Sequence, residues 1–345
     1  MNTSNNHDPT KMMNNKTCGT TLENIGFYTL SDERARTASP WSRLQRCELL
    51  LGSRCNFCCP YCRTVGGRDI SFEQAQTVLQ GWIDDGLVNV RFSGGEPTLY
   101  NNLLNLVKMA KDGNVKRIAV STNGSASLRT YEQLIEYGVN DFSISLDACC
   151  ACDGVKMGAT TTRTWNLIPK KIAALSKATY VTVGVVITKR NVEQLDNIIQ
   201  FAHKLGVSDI RVISAAQSNM PLAKMISPGT EDQYPILKYR IQNANDGKPM
   251  RGLTRDDPQH CPLVIDDIAA TGDYHYPCII HLREAPDKPI GRNDSGKVRQ
   301  ERYEWFLRHN TYEDSICRTN CLDVCVEYNR KWYEVNSPVQ AAGDT

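Results

Sequence analysis

Three cysteines in one short segment constrain this chain more than any other feature. Cys55, Cys59 and Cys62 are spaced C-x3-C-x2-C, and no further cysteine follows before Cys149. Three thiolates on one loop can hold three irons of a cubane iron–sulfur cluster and leave the fourth iron open to a small chelating ligand. A structural zinc site, the alternative, needs a fourth protein ligand. The spacing therefore favours an iron–sulfur centre with one open position.

A second motif follows directly after a strand-like run, Val88 to Phe92, and reads Ser-Gly-Gly-Glu-Pro over residues 93–97. The two motifs, in this order, resemble the radical S-adenosylmethionine (SAM) superfamily, in the branch that contains the molybdenum-cofactor cyclase and the SPASM/twitch enzymes. The resemblance implies a [4Fe–4S] cluster that binds SAM. It also implies an enzyme that cleaves SAM reductively and abstracts a hydrogen atom from its substrate.

The resemblance also implies roles for individual residues. Tyr61 matches a position beside the adenine of SAM, and polar groups at strand ends suit the ribose hydroxyls and the carboxylate. The implied SAM-binding residues are Tyr61, Gly94, Gly95, Glu96, Ser121, Asn123 and Ser145. Arg91 matches an arginine that binds substrate phosphate in the related cyclase, although a surface salt bridge is the competing interpretation. Cys58, between the ligands, is interpreted as a packing residue.

Cys149, Cys150 and Cys152 form a Cys-Cys-Ala-Cys segment just after the fourth predicted strand. A thiol there could donate a hydrogen atom to a substrate radical, as in some epimerases of the family. The competing interpretation is that these are small buried side chains, which is a common place for cysteine.

Short apolar runs alternate with amphipathic segments between Cys47 and Ala216. Runs that are apolar over most of their length suit parallel strands buried on both faces. The predicted strands are 47–52, 89–94, 117–122, 141–147, 180–188 and 209–215. The predicted helices are 71–84, 103–111, 131–137, 163–178 and 191–205. This alternation predicts an α/β fold, a partial (β/α)6 TIM barrel, with its site at the carboxyl ends of the strands.

The predicted division of the chain follows these patterns. Residues 1–45 are a partly disordered tail and lead-in, 46–216 the barrel, 217–257 a connector with a helix near 233–243, and 258–345 a cysteine-rich module with the C-terminal tail. Five cysteines of that module, Cys261, Cys278, Cys317, Cys321 and Cys325, are spaced C-x16-C-x38-C-x3-C-x3-C.

The module resembles the twitch version of the SPASM extension, in which a hairpin and a following helix enclose an auxiliary [4Fe–4S] cluster. Residues 272–278 would form a hairpin arm that ends in the ligand Cys278. Five thiols exceed the needs of one cluster, so one of Cys317, Cys321 and Cys325 is spare. Zinc is the competing metal, because four cysteines suit it equally well.

Charge and hydropathy limit the possible partners. With 40 basic and 38 acidic residues the net charge is +2, so we expect no nucleic-acid partner. No apolar run approaches the roughly 18–20 residues that span a bilayer, and the N-terminus lacks an apolar signal core. Clustered cysteines in such a chain indicate metal ligands in a reducing compartment, so we expect a cytoplasmic protein. A flavodoxin or ferredoxin is the expected electron donor.

The leading functional hypothesis is a radical SAM oxidoreductase acting on a small molecule, since no leader-binding domain is expected ahead of the barrel. The cyclase reaction itself is disfavoured, because the chain lacks that enzyme's auxiliary C-x2-C pattern and Gly-Gly tail. The alternatives are a peptide- or nucleic-acid-modifying enzyme of the same superfamily, or a non-catalytic iron–sulfur sensing protein.

Overall fold

The computed structural model of the chain describes residues 22, 25, 30–63, 69–216, 222 and 226–336. The predicted disordered N-terminal segment and the predicted C-terminal tail lie almost entirely outside these residues. Among the described residues, no helix combines the length and the apolar composition that a membrane span requires.

A parallel sheet forms the centre of the molecule. Its first six strands are β1 (Arg46–Leu50), β2 (Asn89–Ser93), β3 (Arg117–Thr122), β4 (Asp141–Ser145), β5 (Tyr180–Ile187) and β6 (Asp209–Ser214). They lie in the order β6-β5-β4-β3-β2-β1, and each pairs in parallel with its neighbour. The predicted partial barrel is confirmed, and the strand bounds differ from the predicted ones by at most two residues.

The sheet continues beyond β1 into the cysteine-rich region. Strands β7 (Asp267–Thr271), β8 (Tyr274–Tyr276) and β9 (Gly291–Arg292) follow, with β7 parallel to β1 and the other two antiparallel. The predicted hairpin arm is therefore β8. Its partner β7 was not predicted as a strand of the main sheet, because the cysteines dominate the pattern there. The sheet thus runs across the predicted division at residue 258, and the domain limits remain a prediction.

Helices cover the parallel strands. Those of the barrel are α2 (Phe72–Asp84), α3 (Leu103–Asp112), α4 (Leu128–Tyr137), α5 (Ala151–Lys156), α6 (Thr162–Ala178) and α7 (Leu195–Lys204). The short α5 was not predicted. The predicted capping box of α2 is present, because Ser71 Oγ accepts from the Gln74 amide and the Gln74 side chain accepts from the Ser71 amide. That reciprocal pair explains why α2 begins where it does.

In the part of the chain that the structure describes, one further helix precedes the sheet and five lie in the second half of the chain. They are α1 (Asp32–Thr37), then α8 (Pro235–Asn245), α9 (Ile279–Glu284), α10 (Val298–Arg308), α11 (Ser315–Asn320) and α12 (Asp323–Asn336). Arg34 of α1 pairs with Asp266 at 2.6 Å and Asp267 at 2.8 Å, and its guanidinium lies over the Tyr328 ring of α12. These ion pairs and the ring contact thus attach the predicted lead-in to the cysteine-rich region. Removing one partner of such a buried pair costs about 3–5 kcal/mol.

Candidate functional site

A cavity of about 370 Å³ opens at the carboxyl ends of the strands, where the predicted site residues were expected to converge. Loops after β1, β2, β3 and β4 line one side of it. Residues of β6 and α9 line another. Parallel strands present their following loops at one edge, so residues far apart in sequence meet here.

The predicted cluster ligands Cys55, Cys59 and Cys62 all line this cavity, whereas Cys58 does not. Cys55 and Cys62 are exposed and Cys59 is partly buried. Burial raises the pKa of the Cys59 thiol to about 12. Burial also raises the pKa of Cys62, opposed by the positive charge of Arg283. A metal that binds these thiols must displace their protons.

Two glycines hold the cysteine loop against the end of β2. The Gly95 amide donates to the Gly52 carbonyl at 2.8 Å, and the Glu96 amide donates to the Arg54 carbonyl at 2.8 Å. A Cβ on Gly95 would lie 2.2 Å from the Arg54 carbonyl oxygen, and one on Gly94 would lie 2.6 Å from the Gly52 carbonyl oxygen. Gly94 also has φ +151°. Glycine is therefore required at both positions because the backbone of the cysteine loop approaches so closely. A close approach of SAM would be a second reason.

Glu96 connects two loops rather than lining the cavity. Its buried carboxylate accepts hydrogen bonds from the Thr98 amide and hydroxyl, from the Thr122 hydroxyl at 2.7 Å and from the Asn123 amide at 2.7 Å. Burial raises the pKa of Glu96, and these donors oppose the rise. The predicted contact of Glu96 with the methionine ammonium stays a prediction. In the structure this side chain positions Asn123.

The other predicted SAM-binding residues meet at the cavity. Tyr61, Gly94, Gly95, Ser121, Asn123 and Ser145 line it. The side-chain nitrogen of Asn123, Nδ2, donates to Asn56 Oδ1 at 2.9 Å and lies 3.7 Å from Cys55 Sγ. Asn56 Nδ2 in turn donates to Ser125 Oγ at 2.9 Å. The loop after β3 therefore supports the cysteine loop from a second side.

Asp147 is a cavity residue that was not assigned a role from the sequence. Its Oδ2 accepts a hydrogen bond from the Tyr61 hydroxyl, and its Oδ1 accepts from the Val186 amide at 2.7 Å. Burial raises the pKa of Asp147 to about 6. The signal was its place at the end of β4, two residues after Ser145. Asp147 fixes the ring of Tyr61 beside Cys59 and Cys62.

Basic side chains face the same cavity from several elements: Arg63, Arg91, Arg211, Arg251 and Arg283. The pKa of Arg91 falls to about 10, because its guanidinium is buried and lies near that of Arg211. Arg211 Nη2 donates to Ser143 Oγ at 3.3 Å, while its buried Nε has no hydrogen-bond partner among the described residues. Arg283 reaches from α9 to the Gly94 carbonyl, at 3.4 Å. The predicted Arg91 is thus a cavity residue and not a surface one.

The three cysteines after β4 do not line the cavity, although Ala148 and Gly154 on either side of them do. Cys149 packs against the main core, Cys150 is partly buried and Cys152 is exposed. The unpredicted helix α5, which begins at Ala151, contributes Gly154 to the cavity lining and leaves the three cysteines out of it. The predicted hydrogen-donor role therefore gains no geometric support.

The five cysteines of the C-terminal region do meet. All of them line one cavity of about 40 Å³: Cys261, Cys278, Cys317, Cys321 and Cys325. Asn329 Nδ2 lies 3.4 Å from Cys261 Sγ, and the His281 amide donates to Cys278 Sγ at 3.4 Å. A hydrogen bond from Cys321 lowers the pKa of Cys325 to about 6. The donor set fits a four-thiolate centre with one thiol to spare.

A third cavity, of about 120 Å³, lies between the two sites. Arg91 and Arg211 line it on one side, and Cys278 and Cys325 line it on the other. Ile280 lines all three cavities. The cysteine-rich cavity is therefore adjacent to the larger one.

Comparisons with known proteins agree with this arrangement. Residues 49–202 match the family model described as the Radical SAM superfamily. A probable GTP 3′,8-cyclase of Sulfurisphaera tokodaii is 30% identical over 174 residues, which cover 46% of this chain and 52% of that protein. The GTP 3′,8-cyclase of Brucella abortus is 26% identical over 207 residues, covering 56% and 57%. The chain spans about half the length of the curated relatives it matches.

Solved structures share the fold. Streptococcus suis SuiB bound to its precursor peptide SuiA aligns with a TM-score of 0.55 at 13% identity, over 89% of this chain and 74% of that one. The protein anSMEcpe with bound AdoMet aligns with a TM-score of 0.54 at 13% identity, over 86% and 94%. At such identities the likeness concerns the fold alone.

Proposed function

Because residues 49–202 of this chain form a radical SAM domain, we propose that it is an enzyme that cleaves SAM reductively and abstracts a hydrogen atom from an anionic small molecule. The observation that carries this proposal is the set of three cysteine thiols at the mouth of a cavity lined with arginines. When bound, a [4Fe–4S] cluster would supply the electron that cleaves the sulfonium of SAM, which yields the 5′-deoxyadenosyl radical.

The chain's own residues suit this cofactor. Cys55, Cys59 and Cys62 provide three thiols and Cys58 is off the cavity, so the donor set leaves one iron open. The Gly94 and Gly95 contacts fix the loop that carries the thiols. Asn123 and Ser145 offer amide and hydroxyl groups to SAM, and the Asp147–Tyr61 pair holds an aromatic ring beside the ligands.

The arginines support an anionic substrate. Burial and the nearby guanidinium of Arg211 lower the pKa of Arg91, while the negative charges of Glu48 and Asp141 oppose this, so a further anion beside the two arginines would favour the charged form of Arg91. A carboxylate or phosphate would provide that anion and satisfy the buried Nε of Arg211. A cavity of about 370 Å³ has the size of a small-molecule site.

The five-thiol cavity supports a second [4Fe–4S] cluster, next to the substrate, that accepts an electron or binds substrate directly. Its position beside Arg91 and Arg211 supports this role, since Cys278 and Cys325 line the cavity that those arginines share. Zinc remains the competing metal in this cavity. The electron that starts the reaction would come from a flavodoxin or ferredoxin.

Anaerobic incubation of the reconstituted protein with SAM and dithionite tests the central proposal. We expect 5′-deoxyadenosine from the wild type and none from the triple variant Cys55→Ala/Cys59→Ala/Cys62→Ala, which should keep the iron of the second site. Formation of 5′-deoxyadenosine by the triple variant would show that SAM cleavage does not depend on these three cysteines. No product from the wild type with both clusters loaded would favour a sensing protein.

Isothermal titration with inorganic pyrophosphate, in the presence of SAM, tests the anionic subsite. Loss of a hydrogen bond to a charged group costs about 1.5–3 kcal/mol, so Arg211→Gln should weaken binding at least about tenfold. Arg129→Gln, at an exposed residue of α4, is the control and should bind like the wild type. Equal affinity in all three proteins would contradict the anionic subsite. GTP, named for the relatives, is the first nucleotide to assay in the same way.

A further inference from the structure

Three donor atoms lie together outside both cysteine sites. The thiols of Cys150 and Cys152 and a carboxylate oxygen of Asp153 all lie within 4.8 Å of one another. The two sulfurs are 2.9 Å apart, and Cys150 Sγ is 3.2 Å from Asp153 Oδ2. Within the described ranges the other such group contains Cys317 and therefore belongs to the five-thiol cavity. The group at residues 150–153 has no role in the function proposed above.

We propose that Cys150, Cys152 and Asp153 bind a thiophilic divalent cation of the zinc class, with water as its fourth ligand. Thiolate sulfur and carboxylate oxygen are both ligands of Zn²⁺, which takes four of them in a tetrahedron. Hard cations such as Mg²⁺ prefer oxygen ligands throughout, so the two sulfurs select a softer ion. All three donors come from one tetrapeptide, and the two sulfurs, 2.9 Å apart, must separate further to occupy two corners of a tetrahedron.

The surrounding charge suits this ion. Two thiolates and one carboxylate carry three negative charges, which a divalent cation reduces to one. The Lys156 ammonium lies 2.9 Å from Asp153 Oδ1 and balances the remaining charge. The Asp153 side chain is 39% exposed, so the ion and its water can reach the site from solvent.

The position of the group indicates what the ion would hold. It lies at the start of α5, and residues that follow this helix support the loop of Cys55, Cys59 and Cys62. The Gly158 carbonyl accepts from the Cys58 amide at 3.0 Å, and Thr160 Oγ1 donates to the Asn56 carbonyl at 2.6 Å. An ion that ties residue 150 to residue 153 would stiffen this wall of the larger cavity without touching the substrate.

The test uses the holoprotein with its iron–sulfur centres loaded, equilibrated anaerobically with ZnCl₂ and then freed of unbound zinc. We expect one zinc per chain by elemental analysis. We expect X-ray absorption to show two sulfur neighbours at about 2.3 Å and two oxygen neighbours at about 2.0–2.2 Å. Cys150→Ala and Cys152→Ala should each abolish zinc retention, with iron content unchanged. The matched control Cys149→Ala, at the neighbouring cysteine outside the group, should retain the zinc.

Three results would overturn this inference. Equal zinc retention in the wild type and both alanine variants would place the ion elsewhere. Four sulfur neighbours would place it among the five C-terminal cysteines. A disulfide between Cys150 and Cys152 in the anaerobic protein, detected by alkylation and mass spectrometry, would assign the pair to redox chemistry. None of these outcomes depends on whether the protein cleaves SAM, so the two proposals can fail separately.

Discussion

The two cysteine sites of this molecule are built in opposite ways. Cys55, Cys59 and Cys62 share one loop, two of them are exposed, and all three line a cavity of about 370 Å³. The five C-terminal cysteines come from separate helices and turns and surround a cavity of about 40 Å³. The first arrangement leaves room for an exchangeable ligand, whereas the second encloses its centre. On the function proposed above, this difference in exposure matches one site that binds and releases SAM and another that keeps its cluster enclosed.

The contacts that hold the two sites in shape also differ. Backbone hydrogen bonds and glycine contacts hold the first loop against the end of β2, so its geometry depends on close approach of main chains. The second site depends on the packing of α9, α10, α11 and α12 around the thiols. We therefore expect small backbone changes to damage the first site and loss of a ligand to loosen the second.

The largest effect is expected from Gly95→Ala. A Cβ there would lie 2.2 Å from the Arg54 carbonyl oxygen, so the cysteine loop must move. Misplacement of reacting groups by about 1 Å can cost on the order of 100-fold in rate. We expect 5′-deoxyadenosine formation to fall by at least that factor, with the iron of the second site retained.

Gly81→Ala provides the control for that variant, because a Cβ at this position of α2 meets nothing within 4 Å. Alanine in a helix interior is favoured over glycine by roughly 0.5–1 kcal/mol, so this variant should be slightly more stable and fully active. Normal activity in Gly95→Ala would show that the loop tolerates displacement and would remove the contrast between the sites.

The next effect concerns Cys278→Ala. If a cluster holds the second site together, loss of one ligand should lower the iron content by up to four atoms per chain and expose residues after 258 to protease. Limited proteolysis with iron analysis measures both. Strands β1 to β6 should keep their protection, because most of the main core lies on them and the helices that cover them. A protease-resistant C-terminal region with unchanged iron would show that the second cluster is absent, and one zinc per chain would identify the competing metal.

A moderate effect is expected from Asp147→Asn. Tyr61 and Val186 both donate to the carboxylate, so ionisation above the raised pKa of about 6 should hold Tyr61 in place. SAM cleavage should therefore rise with pH through about 6 in the wild type. The inflection near pH 6 should be absent in the variant. At neutral pH the activity of the variant should be about tenfold lower, because it loses one hydrogen bond to a charged group.

The same carboxyl group gives a stability prediction of opposite sign. Its pKa in the folded chain, about 6, is raised above the ordinary value of 3.8 for an aspartate. Its contribution to folding stability is therefore full below about pH 4 and is lost as the pH rises to about 6. Denaturant unfolding at pH 4, 5, 6 and 7 should show this loss in the wild type and not in Asp147→Asn. Parallel curves for the two proteins would contradict the raised pKa.

The smallest effect compares two asparagines, one at each site. Asn329 Nδ2 is 3.4 Å from Cys261 Sγ in a buried setting, whereas Asn123 Nδ2 is 3.7 Å from the exposed Cys55 Sγ. Hydrogen bonds to ligand sulfurs raise cluster potentials. A hydrogen bond of about 1 kcal/mol corresponds to roughly 40 mV for one electron, so Asn329→Leu should lower the auxiliary potential by about that much. Redox titration should show a smaller change in the potential of the first cluster in Asn123→Leu. A larger change in Asn123→Leu than in Asn329→Leu would contradict the inference that the first site is the more exposed one.

Sequence patterns predicted the barrel well because its signals are local. In β5 three valines, Val181, Val183 and Val185, alternate with residues that are mostly buried too, as expected of a strand covered on both faces. The start of α2 is marked by the capping box of Ser71 and Gln74. Strand β7 was missed because Ala269 and Ala270 give a weak apolar signal and the neighbouring cysteines dominate. Helix α1 was missed because only tertiary partners, Asp266 and Tyr328, explain its buried Arg34.

By itself the sequence determined the spacing of three thiols, the glycines beside them and the order of strands and helices, since each depends on neighbours along the chain. Only the tertiary structure decided which groups share a cavity. It places Asp147 on Tyr61 and Arg211 beside Arg91, and it turns Cys150 and Cys152 away from the mouth. The reason is physical: side chains at the ends of parallel strands meet by the register of the sheet, which no local spacing encodes.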